Sequence, residues 1–218
     1  LAATSLELLV KTRDNRFRLG ELGAALRGAT GVTEMIRHNQ VFYRDLQDPV
    51  NMLRNSGSGS QLSQNWPYAE GAPATKQLPA SATADYSELM SATQHLIASD
   101  IMASYDLGRH RALLDVGGGY GTFAMAAARR HPSLRATALD IPSVAESANP
   151  QIAAAGLADR VQAHGADFHR DPIPTGYDIV SLIRILLDHD DDKALNLLKK
   201  IRTSLAPDGR LLIAEIMS

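Results

Sequence analysis

The stretch Leu113-Leu114-Asp115-Val116-Gly117-Gly118-Gly119-Tyr120-Gly121 constrains this chain more than any other. A short apolar run ends in an acid, a glycine-rich turn follows, and Thr122 to Arg130 is a helix-forming run. A buried parallel strand feeding a tight turn into a helix has this pattern. Glycines at 117, 119 and 121 admit positive φ and keep Cβ atoms out of a ligand's way. The helix start behind them offers unpaired N–H groups. A mononucleotide-like ligand suits such a bend.

The spacing narrows the ligand. A dinucleotide fingerprint, G-x-G-x-x-G, would need its third glycine at Thr122. The chain has G-x-G-x-G instead, with Asp115 two residues ahead of Gly117. Asp140 closes the next apolar run, Ala136 to Leu139, where an acid can accept hydrogen bonds from both ribose hydroxyls. One acid before the bend and another on the next strand suit a cationic adenosyl ligand better than a pyrophosphate.

From Arg111 onward strand and helix patterns alternate. Strands are expected near 112–116, 135–139, 160–164, 178–183 and 211–216, and helices over 121–131, within 142–155 and over 191–205. This order predicts an α/β fold with a doubly wound parallel sheet. Ligands of such sheets sit at the carboxyl ends of the strands, where the strand order reverses. Asp115, Asp140, Asp167, the 187–189 stretch and Glu215 all fall at or near such ends. In Gly165-Ala166-Asp167-Phe168 the acid can accept an adenine amino hydrogen and the ring can lie against the base. A plain polar strand end with one core phenylalanine is the other reading.

Leu187-Asp188-His189-Asp190-Asp191-Asp192 admits two readings as well. Asp190 to Asp192 fit a helix N-cap and first turn. His189, between acids, can instead be a base with a raised pKa. The seven histidines are scattered and lack His-x₃-His spacing, and the chain has no cysteine, so a metal site is not expected.

The first half is organised differently. Leu1 to Val10 reads as the end of an amphipathic helix, and Lys11 to Leu19 as a β-hairpin turning at Asp14-Asn15. Leu19 to Leu26 and Val32 to Leu46 read as helices. Helix–hairpin–helix is the tail of a winged-helix unit. With Lys11, Arg13, Arg16 and Arg18 on the hairpin it serves either DNA binding or packing and dimerisation. The net charge of −2 does not advertise a nucleic-acid or anionic-membrane partner. Residues 55–83 change character: Asn55 to Ser60 reads as a flexible turn or loop, and Trp66-Pro67-Tyr68 as an aromatic anchor or a ligand wall. Tyr86 to Met102 reads as a helix leading into the sheet. No apolar run approaches a membrane span, and the absence of cysteine agrees with a cytoplasmic setting. Beginning at Leu1 and stopping on the apolar pattern Arg210 to Met217, the chain reads as a section of a longer protein. Its last strand would expose an apolar edge, so the chain alone is expected to self-associate.

These residues resemble the S-adenosylmethionine-dependent O-methyltransferases of small molecules, in particular their bacterial carotenoid branch. The resemblance is carried by Asp48-Pro49-Val50, Trp66-Pro67-Tyr68, Asp115 to Gly119, Leu139-Asp140-Ile141-Pro142, Arg184 to Asp191, and Pro207 to Leu211. It implies a partial winged-helix dimerisation region over 1–54, a linker and connecting helix over 55–105, and a Rossmann-like, C-terminally truncated methyltransferase domain over 106–218. It implies S-adenosylmethionine as cofactor, with Asp115, Gly117, Gly119, Gly121, Asp140, Asp167, Phe168 and Arg184 around it. The implied partners are a small, lipophilic acceptor and a second copy of the chain, with peripheral membrane contact if the acceptor is a carotenoid.

Two departures stand out. Many relatives carry a histidine base in a His-Asp-Trp stretch after strand four; its place here is Leu187, with Asp188 and His189 following. His189, Glu215 and Asp188 are therefore the candidates for catalysis, Glu215 matching the acid that orients the base in those relatives. The second departure is length, because the strands that wall the acceptor pocket and most of the winged helix are missing. A C-methyltransferase acting on a pigment ring, a nicotinamide dehydrogenase and a DNA-binding regulator remain as rivals.

Overall fold

The computed structural model describes residues 1–29, 31–54, 90, 93–95 and 97–215. The Asn55–Ser60 loop, Trp66-Pro67-Tyr68, the start of the Tyr86–Met102 helix and Ile216 lie outside the described residues. The chain divides into two compact units, Leu1–Thr93 and Gln94–Ser218.

The first unit begins with a short helix α1 (Ala2–Ser5), then the antiparallel pair β1 (Leu9–Lys11) and β2 (Phe17–Leu19). The expected helix through Val10 is corrected here. Glu7 takes φ 57, which ends the helical path and frees Leu9 and Val10 to pair with Leu19 and Arg18. The turn is the expected one: Asn15 adopts φ 62, and Thr12 N–H donates to the Arg16 carbonyl at 2.8 Å. Helices α2 (Glu21–Gly28), α3 (Val32–Asp45) and α4 (Pro49–Arg54) follow. The unit leaves much apolar surface in water, including Leu6, Phe17, Leu22 and Leu53.

The second unit is organised by a five-stranded parallel sheet in the order β5-β4-β3-β6-β7. Its strands are β3 (Ala112–Val116), β4 (Arg135–Asp140), β5 (Val161–Gly165), β6 (Ile179–Ile183) and β7 (Arg210–Ala214). Helices α5 (Thr122–Arg130), α6 (Pro142–Ala154) and α7 (Asp191–Ser204) connect them. Boundaries agree with the sequence reading to within a residue or two.

The near-continuous apolar runs of β3 and β6 follow from burial on both faces. Leu113, Ala136, Ala138 and Ile179 pack with Phe123 of α5 and Ile152 of α6 on one side. Leu114, Val116, Leu139, Val180 and Leu182 pack with Leu197 and Ile201 of α7 on the other. A period of two sorts the residues between these layers. It also sends Asp115 and Ser181, paired across β3 and β6, to the same face. The strand order reverses between β3 and β6, so the carboxyl ends of these two strands flank the crevice where such sheets bind ligands.

Candidate active site

The bend after β3 is held by the strand beside it. Gly117 N–H and Gly118 N–H both donate to the Leu139 carbonyl, at 2.8 and 3.2 Å. Gly117 and Gly119 take φ 71 and 55, a left-handed conformation that costs a residue with a Cβ about 1–2 kcal/mol. Their surroundings differ. A Cβ on Gly117 would collide with Ile185 Cδ1. A Cβ on Gly119 would meet nothing within 4 Å among the described residues. Gly117 is thus glycine for close packing, while Gly119 borders open space. Gly121, at φ 76, precedes α5 as its N-cap.

Asp140 ends β4 and is nearly fully buried. Its Oδ2 accepts from Gly119 N–H at 2.9 Å and its Oδ1 from Ile141 N–H at 2.8 Å. Both oxygens are therefore turned to backbone donors. The carboxylate shapes the bend from beneath.

Asp115 is buried, and Ser181 Oγ donates to its Oδ1 at 2.6 Å. Burial, with the Asp140 charge adding to it and the Ser181 hydrogen bond opposing, pushes the Asp115 carboxyl from 3.8 up to about 7. This folded value lies above the unfolded one. Between about pH 4 and 7 the folded chain keeps a proton that the unfolded chain has lost, so this contribution to stability falls as pH rises through that window. Asp115→Asn, which retains an acceptor for Ser181 Oγ, is expected to remove this slope. Urea midpoints measured from pH 4 to pH 8 check it. Ser181 escaped the sequence reading, although a lone hydroxyl inside the apolar run Ile179 to Ile183 was its signal.

Asp167 folds back on its own turn. Its Oδ1 accepts from His169 N–H at 2.9 Å, and its Oδ2 lies 3.4 Å from Arg170 Nε. Phe168 stands close to the bend, its ring edge 3.9 Å from where a Gly117 Cβ would sit. Lys200 Nζ of α7 donates to the Phe168 carbonyl at 2.7 Å and ties this loop down. His169 and His189 join Phe168 in an aromatic group. The His169–His189 and Phe168–His169 ring centroids are both 4.5 Å apart, and the Phe168–His189 centroids 5.8 Å.

The expected raised pKa of His189 is corrected by this packing. Burial first, then the neighbouring His169 and Lys193, hold its imidazole below the usual histidine range, against Asp190. Asp190 still raises it, but is outweighed. Asp190 caps α7, accepting from Lys193 N–H at 2.8 Å and pairing with Lys193 Nζ at 3.0 Å. The helix-cap reading of the acid run is the observed one.

Asp188 takes the opposite direction from its neighbour His189. It lies in the 3-10 turn Leu186–Asp188 and is exposed overall; partial desolvation of its carboxyl, then the Glu215 charge, push it from 3.8 up to about 6, with Arg184 opposing. Glu215 follows β7, and its Oε1 accepts from both Ile185 N–H and Leu186 N–H at 2.7 and 2.8 Å. Glu215 Oε2 is buried with no hydrogen-bond partner among the described residues. Arg184 follows β6 in a left-handed conformation, φ 58, unusual outside glycine. Its Nη2 donates to Gln94 Oε1 at 2.6 Å. Leu187, in the same turn, is 66% exposed.

The predicted residues lie at the carboxyl ends of the strands, with Asp115, Asp140 and the glycines at the bend and the others in two groups beside it. Phe168, His169 and His189 stand together after β5 and β6. Arg184, Asp188 and Glu215 stand together after β6 and β7. A separate cavity of about 270 Å³, lined in part by Arg135, Thr137, Arg160 and Tyr177, opens at the other, amino-terminal ends of β4 and β5. It contains none of these side chains.

A sheet of this order, with a glycine bend after its central strand and acids on the adjoining strand tips, defines a nucleotide-cofactor fold. The O-methyltransferase domain family matches residues 43–218, and the chain belongs to that family. It is 41% identical over 214 residues to demethylspheroidene O-methyltransferase of Cereibacter sphaeroides, covering 98% of this chain and 56% of that protein. It is 38% identical to demethylspheroidene O-methyltransferase of Rhodobacter capsulatus, covering 100% of this chain and 53% of that protein. The chain therefore spans about half the length of these curated relatives. Among solved structures it is similar to the apo form of the S-adenosylmethionine-dependent methyltransferase SibL. The TM-score is 0.74 at 32% identity, covering 97% of this chain and 62% of that one.

Proposed function

We propose that the protein transfers a methyl group from S-adenosylmethionine to a hydroxyl of a small, carotenoid-like acceptor. The observation that carries this reading is the open space over Gly119, framed by the buried carboxylate of Asp140. Asp140 meets the ribose, Phe168 lies against the base, and the side-chain-free bend from Gly117 to Gly121 admits the ligand's close approach. Asp167 reaches the base only by sharing an oxygen already used in its own turn. Asp115 acts through the bend, from below, and Arg184 borders the amino-acid end of the cofactor. The cofactor supplies an electrophilic methyl on a sulfonium, itself a good leaving group. The protein's main work is then to align the acceptor oxygen with that methyl and to exclude water.

The acceptor hydroxyl must lose its proton, and three side chains were candidates. His189, held below the usual histidine range, packs with Phe168 and His169 in the group we assign to the adenine. Asp188, with a pKa of about 6, and Glu215, with one buried oxygen unmatched, are better suited as a pair to take the proton. His189→Ala is expected to weaken cofactor affinity and leave the rate at saturating cofactor within about threefold. Asp188→Asn is expected to lower that rate by about a hundredfold. Single-turnover rates with both substrates saturating check the pair.

Titration calorimetry with S-adenosylmethionine and with a nicotinamide dinucleotide tests the cofactor. Isotopic methyl donor with hydroxylated carotenoids tests the reaction in the full-length protein. An ether product supports the reading, and a carbon-bound methyl would convert it to C-methylation. The same three-part organisation (1–54, 55–105 and 106–218) and a cytoplasmic location belong to this proposal. So does homodimerisation through the amino-terminal unit, supported by its exposed Phe17, Leu22 and Leu53. Light scattering of the full-length protein is expected to give a dimer, and Phe17→Asp with Leu22→Asp to shift it toward monomer.

A further inference from the structure

The turn after β5 carries Asp167 and Phe168, and its own hydrogen bonds close on themselves. Asp167 N–H donates to Asp171 Oδ2 at 2.8 Å. Arg170 and Asp171 N–H donate to the Asp167 carbonyl at 2.9 and 2.7 Å, and His169 N–H to Asp167 Oδ1 at 2.9 Å. Bonds within a turn keep its shape and leave its place to be set from outside. On the sheet side, Ala166 N–H donates to the Asp140 carbonyl at 2.8 Å. On the helix side, Lys200 Nζ reaches from α7 to the Phe168 carbonyl at 2.7 Å, a short, charge-assisted bond. The helix behind Lys200 is itself fixed, since Leu197 and Ile201 are buried in the apolar layer under it. The carbonyl that Lys200 holds and the Phe168 ring belong to one residue, so fixing the carbonyl limits the directions the ring can take. That ring is half-buried and packs against the layer that contains Val116 and Leu139. Its edge lies 3.9 Å from the place a Gly117 Cβ would take.

We propose that Lys200 is a positioning residue for cofactor binding, holding the Phe168 turn so that its ring stays against the glycine bend and walls the adenine. The inference rests on the reading that Phe168 lies against the adenine of S-adenosylmethionine. Lys200 acts through the main chain of Phe168. Releasing it leaves the internal bonds of the turn intact, so the turn keeps its shape and loses its placement. A ring free to swing from the bend weakens the adenosine half of the cofactor alike in the ground state and the transition state. Such a loss raises KM for the cofactor and spares kcat.

The test uses the full-length protein with Lys200→Met, which keeps the apolar stem and removes the donor, and Lys200→Ala beside it should the first not fold. Lys200→Arg restores a cationic donor. Calorimetry follows S-adenosylmethionine and methylthioadenosine, which has the adenosine without the amino-acid end. Lys200→Met is expected to weaken both ligands by the same factor, about tenfold. KM for S-adenosylmethionine should rise with it while kcat stays within about twofold, and Lys200→Arg should recover the affinity to within about threefold. In a Phe168→Ala background Lys200→Met should add nothing to the loss, because its effect runs through the ring. Unchanged affinity in a folded Lys200→Met or Lys200→Ala protein overturns the proposal. So does an equal loss in the Phe168→Ala background, or a fall in kcat with KM unmoved. If the unaltered protein binds neither ligand, the methyltransferase reading falls and the proposal with it. Binding by the unaltered protein with no loss in the variants sinks the proposal alone.

Discussion

Asp140→Ala is expected to weaken S-adenosylmethionine binding by about a hundredfold or more. The carboxylate accepts from Gly119 N–H and Ile141 N–H through different oxygens. Hydrogen bonds to a charged group contribute about 1.5–3 kcal/mol each, so removing the carboxylate releases the bend as well as the proposed ribose contact. Asp140→Asn is expected to do nearly as badly. Asparagine has one acceptor oxygen, and its amide would turn a donor toward the second N–H. Calorimetric titration of both variants measures the loss. Retained affinity in Asp140→Asn would show that the bend does not need two acceptors. A fold that survives with affinity gone would assign the residue to the ligand.

Gly119→Ala is expected to separate binding from folding. The new Cβ meets no atom of the described residues within 4 Å, so only the left-handed conformation at φ 55 is penalised, at about 1–2 kcal/mol of stability. The methyl nevertheless enters the space assigned to the cofactor, and affinity should fall at least about tenfold, with a larger loss for Gly119→Val. Gly117→Ala is the contrast. Its Cβ would collide with Ile185 Cδ1, so the side chain after β6 must move as well, and stability should fall further than at 119. Thermal unfolding beside cofactor titration distinguishes the two glycines. Equal losses of affinity and stability at 119 would argue that its open space is not a ligand's place.

The parallel sheet was legible because its strands are short, apolar and separated by helix-length segments, and because parallel pairing buries both faces. The glycine bend was legible for a local reason: positive φ selects glycine whatever surrounds it. Asp14-Asn15 announced its turn in the same way, and Asn15 takes φ 62. The amino-terminal helix was extended too far, since Leu9 and Val10 suit either period and only their partners Leu19 and Arg18 make them a strand. His189 was misjudged for a related reason. Acids beside it in sequence suggested a raised pKa, but Asp190 turns to cap α7 and burial among Phe168 and His169 acts the other way.

By itself, the sequence determined the α/β order, the place of the bend and the acids at the strand tips. Each of these depends on the period of apolar residues or on one residue's own backbone preference. Only the tertiary structure decided how those side chains are grouped. It set Asp115 against Ser181, 66 positions away, joined Gln94 to Arg184, and sent neighbours Asp188 and His189 to different partners. Charge and burial act through space, and the distance between two strand ends in space is not written in their separation along the chain.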